Sequence, residues 1–121
     1  MSAAGPGSWP AGGVHRVLGS STSVAAELVR RGWGLAVVPA STTDEELWDA
    51  LAGALGLPDW FGRNLDALEE ALRDLPRPTA LVLARWTAYA RARPERWDRL
   101  LHVLRERADQ AATPLVVLLV D

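Results

Sequence analysis

Residues 57–76 read LPDWFGRNLDALEEALRDLP. Leu65, Leu68, Leu72 and Leu75 recur at i, i+3, i+7 and i+10, which places them on one side of a helix running from about 64 to 74. Asn64 is its natural N-cap. Acids fill the other side. Asp66 and Glu70 are four residues apart and stack on one exposed face, and Glu69 beside them forms an i, i+4 pair with Arg73. Like charges at that spacing cost a helix roughly 0.2–0.5 kcal/mol, so the stacked carboxylates give up a little stability. Trp60, Phe61 and Gly62 stand just ahead. Two aromatics are not easily buried together in so tight a loop: one packs inward and the other remains as a contact anchor, a role in which tryptophan is enriched. Gly62 permits a backbone turn that other residues resist. These residues admit two readings, a carboxylate pair aimed at a cation-rich partner, or a solvated helix face with Trp60 covering the edge of the core.

Upstream, STTDEELWDALAGALG (41–56) has capping-box spacing at Thr42 and Glu45, acids suited to the positive end of a helix dipole, and Leu47, Ala50, Leu51, Ala54 and Leu55 at helical spacing. Gly56 ends that helix and Pro58 blocks its extension. GLAVVPA (34–40) is a short valine-rich run that reads as a buried strand closed by Pro39. Before it, Ser21 or Ser23 caps a helix through Val24, Ala25 and Leu28, and Gly32 stops it. VHRVL (14–18) reads as a short extended piece. Downstream, TALVLARW (79–86) is a second buried strand, TAYARARPE (87–95) is irregular or a single turn, and residues 94–111 form the clearest helix. Pro94 stands near its start, and Trp97, Leu100, Leu101, Leu104 and Ala108 make its stripe. PLVVLLVD (114–121) is a third apolar strand. Strands alternating with helices predict an α/β fold with a small parallel sheet and right-handed crossovers.

The chain has 121 residues, 49% of them hydrophobic and 23% charged, which fits one domain with a modest core. Residues 1–13 read as a flexible N-terminal tail and 14–121 as the domain. With no cysteine, disulfide scaffolds, thiolate zinc sites and thiol catalysis are excluded. No apolar run approaches the ~20 residues of a membrane helix, and the start lacks the basic and apolar regions of a signal peptide. The expected location is the cytoplasm.

The formal net charge of −2 gives no whole-molecule field for nucleic acid or membrane. The local balance differs. Residues 44–74 carry nine acids and two arginines, a net of −7, whereas residues 77–107 carry eight arginines and three acids, a net of +5. An acidic surface steers a basic partner toward itself. The run Arg91, Arg93, Arg96 and Arg99 admits a nucleic-acid patch, but its one interleaved aromatic, Trp97, lies on the apolar stripe, and the better reading is that the run solvates the helix start and balances the acidic half.

The stretch LPDWFGRNLDALEEAL resembles the barstar family of intracellular ribonuclease inhibitors, whose motif is an aromatic pair, glycine, any residue, then Asn-Leu-Asp-Ala-Leu. Pro58, Trp60, Phe61, Gly62, Asn64, Leu65, Asp66, Ala67 and Leu68 match in register. The order of elements from about 34 to 121 matches too; residues 1 to about 33 have no counterpart in the shorter members. The resemblance implies three parallel strands flanked by helices, and a protein that plugs the active site of a secreted guanyl-specific ribonuclease before export, one to one and without cofactor or metal. It implies that the motif helix and the loop before it enter the enzyme's cleft, where carboxylates stand in for the substrate phosphate. The implied contact residues are Trp60, Phe61, Gly62, Asn64, Asp66, Glu69 and Glu70, with Glu106 peripheral. Two positions depart from the pattern: Glu70 stands where aspartate is expected, and Glu69 replaces an aromatic.

Catalysis is not expected. No histidine adjoins the acidic cluster, His15 falls beside the presumed tail, and His102 lies on the last helix beside Leu101 and Val103. The serines occupy turn and cap positions with no nucleophile elbow, and no glycine-rich phosphate loop follows a strand. The alternatives are an immunity protein against a toxin that is not a ribonuclease, and an acidic metal-dependent hydrolase using Asp66 and Glu70.

Overall fold

Three runs of valine, leucine and alanine pair as parallel strands, and a fourth joins them at an edge. In the computed structural model, which describes residues 13–110 and 113–121, the strands are β1 (Gly13–Val17), β2 (Gly34–Val38), β3 (Thr79–Ala84) and β4 (Leu115–Val120), in the spatial order β1-β4-β3-β2. All three pairings are parallel, with Leu81 opposite Val117 and Val37 opposite Val82 at the centre. The helices are α1 (Ser21–Arg30), α2 (Asp44–Leu55), α3 (Leu65–Arg73), α4 (Trp86–Ala92) and α5 (Pro94–Ala108).

The order of strands dictates the layers. The chain crosses from β1 to the far edge at β2, then steps back through β3 to β4. Right-handed crossovers taken in opposite directions lay their helices on opposite faces. Accordingly α1 buries Val24 and Leu28 against Ala80, Val82, Val116, Leu118 and Val120 on one face. The other face holds the larger core, in which Leu51, Leu68, Leu72, Leu100 and Leu104 pack on Leu81, Leu83, Val117 and Leu119. Consecutive residues of β4 point to alternate faces and all six are buried, which is why its sequence is apolar without alternation. Each fully buried leucine contributes about 1.5–3 kcal/mol of transfer free energy.

The sheet has four strands where three were expected. GVHRV forms the edge beside β4; its His15 and Arg16 interrupt the apolar run that marked the others, as an edge strand tolerates. Gly13, assigned by sequence to the tail, opens this strand, and the rest of the expected tail, residues 1–12, lies outside the described residues. β3 ends at Ala84, two residues short of the expected strand, and Trp86 joins residues 87–92, read as irregular or a single turn, in helix α4. Trp86 stacks on Trp97 of α5 with ring centroids 5.2 Å apart. The last helix ends at Ala108; the final residue expected in it, 111, lies outside the described residues.

Both upstream caps sit one residue from their expected places. Ser20 caps α1, accepting from the Ser23 N–H at 3.2 Å. The capping box of α2 is Thr43 with Glu46: the Thr43 hydroxyl accepts from the Glu46 N–H at 3.1 Å, and Glu46 accepts from the N–H groups of Thr42 at 3.0 Å and Thr43 at 3.2 Å. Those two backbone donors hold the Glu46 carboxyl below its ordinary range. Because the folded pKa lies below the unfolded one, the resulting stabilisation is present above the ordinary glutamate pKa and is lost as pH falls through the lowered value. Thr43→Ala is therefore expected to cost about 1 kcal/mol by urea denaturation at neutral pH. Glu46→Gln is expected to destabilise at neutral pH and to converge on the parent protein in acid.

Candidate functional site

The turn into α3 is built by its own residues. Asn64, extended at φ −147°, accepts from the Ala67 N–H at 2.8 Å and donates through Nδ2 to the Gly62 carbonyl at 3.0 Å. Space favours glycine at position 62, since a Cβ there would lie 3.1 Å from Asn64 Nδ2 and 3.2 Å from the Ala67 Cβ and crowd both. The left-handed residue of the turn is Arg63, at φ +52°, so the strain expected at Gly62 falls one residue later. Arg63 pairs with Asp49 of α2, which ties the turn to that helix.

The two aromatics divide as the loop demands. Phe61 is buried, 6.1 Å and tilted from Trp48, in the core beneath the loop. It supports the site from below, and its ring is not offered to a partner. Trp60 is 85% exposed. It lines an open groove of about 520 Å³ with Gly62, Ala67, Glu70, Asp74 and Leu75. An exposed tryptophan buries little on folding, so Trp60→Ala is expected to leave stability within about 0.5 kcal/mol while weakening partner binding by at least about 1 kcal/mol. Parallel unfolding and titration experiments check the pair of outcomes.

Leu68 and Leu72 anchor α3 in the core, and Asp66, Glu69 and Glu70 all emerge exposed. Their fates differ. Glu69 is paired with Arg73 at 3.1 Å. Asp66 and Glu70 form no ion pair among the described residues, although the chain carries 13 basic side chains. Glu106 lies on α5, which packs beside α3, with its carboxylate 2.7 Å from His102 Nε2. The fold thus brings Trp60, Gly62 and Glu70 around one groove, with Asp66 a turn earlier on α3.

Sequence reasoning missed Asp74 on the groove wall, and Trp48, whose ring braces Phe61. It also missed Arg107, whose only signal was its place on the apolar stripe three residues after Leu104. Arg107 is 2% exposed; Nε donates to the Leu72 carbonyl in the last turn of α3 at 2.7 Å, Nη2 donates to the Thr113 carbonyl at 2.7 Å, and burial lowers its pKa. Tyr89 of α4 donates to Asp44 of α2 at 2.6 Å; burial first, then that carboxylate, push its phenol up to about 12, so it remains a donor across the physiological range. Among the described residues no three His, Asp or Glu side chains gather as a metal site, and no helix is long and apolar enough to cross a membrane.

None of the curated proteins compared with the chain matches it. A family model described as "Barstar (barnase inhibitor)" matches residues 37–120. The match begins inside β2, so β1 and α1 precede it, and it takes in the whole of the groove, α3 and α5. With a parallel sheet flanked by helices, the motif turn in place and more than half its length matched, the chain belongs to the barstar family.

Proposed function

We propose that the protein inhibits a secreted guanyl-specific ribonuclease, one to one, by seating α3 and the loop before it in the enzyme's cleft, and that it does so in the cytoplasm before export. The family's description names inhibition of barnase; the choice of enzyme, the stoichiometry and the location are the proposal. The observation that carries it is the pair of exposed carboxylates, Asp66 and Glu70, without an ion-pair partner among the described residues, beside a tryptophan that is 85% exposed. A ribonuclease cleft holds fixed cations for a phosphate. Carboxylates presented from a helix already ordered by Asn64, Leu68 and Leu72 lose little further entropy on docking. Cation and anion then desolvate together, a setting in which close pairs contribute most. Glu106 adds a peripheral acid, and Glu69, half-committed to Arg73, contributes less than its neighbours.

The reading assigns the protein no catalysis and no cofactor. Its test is an inhibition assay with guanyl-specific ribonucleases, including those encoded by the host. Stoichiometric inhibition at micromolar concentration or below is expected. Failure to inhibit or to form a complex with any cognate candidate would reject it.

A further inference from the structure

The basic run of residues 91–99 has no part in the contact just proposed, yet the fold gives it a definite place. The first turns of α5 lie beside the starts of α2 and α3, and a cavity of about 280 Å³ opens between them. Arg63, Arg96 and Arg99 line it against a single carboxylate, Asp44. That carboxylate is already occupied, accepting from Arg96 and from the Tyr89 hydroxyl. Arg63 is held by Asp49, outside the cavity lining. Arg99 has no ion pair among the described residues. The remaining wall is largely apolar, with Leu47, Trp48, Leu65 and Leu100. With Arg63 and Arg96 paired, Arg99 is, among the described residues, the one uncompensated cation of the lining, beside a short apolar throat. The cavity's volume lies below the roughly 300–1,000 Å³ typical of small-molecule sites, and suits one side chain with an apolar stem and an anionic head. Asn64, the N-cap of α3, forms part of its rim, so a protein seated on α3 passes over the opening.

We propose that this cavity receives an acidic side chain, aspartate or glutamate, from the rim of the bound ribonuclease, with Arg99 as the principal cation and Arg63 and Arg96 flanking it. The inference rests on the ribonuclease reading for the source of the side chain. It makes the footprint bipolar: carboxylates of α3 face the basic floor of the enzyme, and Arg99 and Arg96 of α5, with Arg63 just before α3, face an acid beside it. An enzyme lacking that acid presents nothing to the uncompensated arginine and is discriminated against.

The site is tested first without any enzyme. Glutamate blocked as its N-acetyl amide, and separately inorganic phosphate, are titrated into the protein at constant ionic strength while the amide signals of Asn64 and Leu65 and the indole signal of Trp48 are followed by NMR. Saturable shifts with blocked glutamate are expected, weakened about tenfold or more in Arg99→Glu and unchanged in Glu70→Gln. No saturable shift, or the same shift in Arg99→Glu, overturns the site; a response to phosphate alone overturns its assignment to an acidic side chain. With an inhibited ribonuclease in hand, Arg99→Glu is expected to weaken inhibition about tenfold, and unchanged inhibition overturns the docking role. Absence of inhibition by the parent protein rejects the ribonuclease reading alone, because the titration stands independently of it.

Discussion

Replacing Glu70 by alanine is expected to weaken the complex with the cognate ribonuclease by about 2–5 kcal/mol, roughly 30- to 5,000-fold in Kd. The range is the general cost of truncating one partner of a buried, hydrogen-bonded charge pair at an interface. Three features of Glu70 argue for it. Among the described residues the carboxylate has no cation to release before docking. It stands on the same groove wall as Trp60, so its neighbourhood is desolvated when the groove is covered. Its helix is fixed at both ends, by Asn64 at the first turn and by Arg107 at the last. Most of the loss is the penalty of leaving the enzyme's own cation buried and unpaired, and it falls on the dissociation rate.

The same substitution is expected to act on stability with the opposite sign. Asp66 and Glu70 repel at i, i+4, so removing one relieves roughly 0.2–0.5 kcal/mol, and an exposed position offers little else to lose. A variant that binds far more weakly yet unfolds no earlier separates contact from fold. Asp66→Ala is expected to behave alike, and unchanged affinity in both variants removes the site assignment. Glu70→Asp is the finer test. The carboxylate retreats by about one C–C bond, ~1.5 Å, and an enzyme fitted to glutamate loses affinity even though the charge is kept.

How far the sequence could be read follows from what each signal measures. Leucines at helical spacing fixed the phase of α3, and with it the outward aim of Asp66 and Glu70, because burial of Leu68 and Leu72 leaves one orientation. β3 and β4 were legible because strands covered on both faces are apolar throughout. β1 was legible as a short extended piece but not as a strand of the sheet: as an edge strand with His15 and Arg16 it carries half the apolar signal. α4 lacked every boundary mark, since Arg85 enters it in a left-handed conformation with no side-chain cap. The α2 cap was ambiguous because TTDEE satisfies the capping-box spacing from either threonine; the choice of Thr43 brings Leu47 and Leu51 onto the core. At the site, the sequence reading assigns the backbone turn to Gly62, and the structure places that angle elsewhere. Packing against Asn64 and Ala67 favours glycine at position 62, and the left-handed angle belongs to Arg63. Which of Trp60 and Phe61 turned inward depended on Trp48, a residue on another helix.

Arg107→Ala is expected to cost about 2–4 kcal/mol of stability by urea denaturation, a large share of the 5–15 kcal/mol typical of a domain. Two opposing effects decide the sign. Among the described residues the buried guanidinium has no carboxylate and its Nη1 has no hydrogen-bond partner, which is unfavourable, so deleting the charge recovers some desolvation energy. Against this, the carbonyls of Leu72 and Thr113 both lose their donor. An unsatisfied buried carbonyl costs roughly 1–3 kcal/mol, and alanine leaves a void where the largest fully buried side chain stood. The losses outweigh the gain for alanine. Methionine fills most of the space and removes the charge, leaving only the carbonyls unpaired, so Arg107→Met is expected to lose about half as much. The order alanine, then methionine, then parent in increasing stability therefore identifies Arg107 as a clasp on the last turn of α3. A methionine variant more stable than the parent would show that the buried charge outweighs both hydrogen bonds, and that the acidic helix is held by its leucines alone.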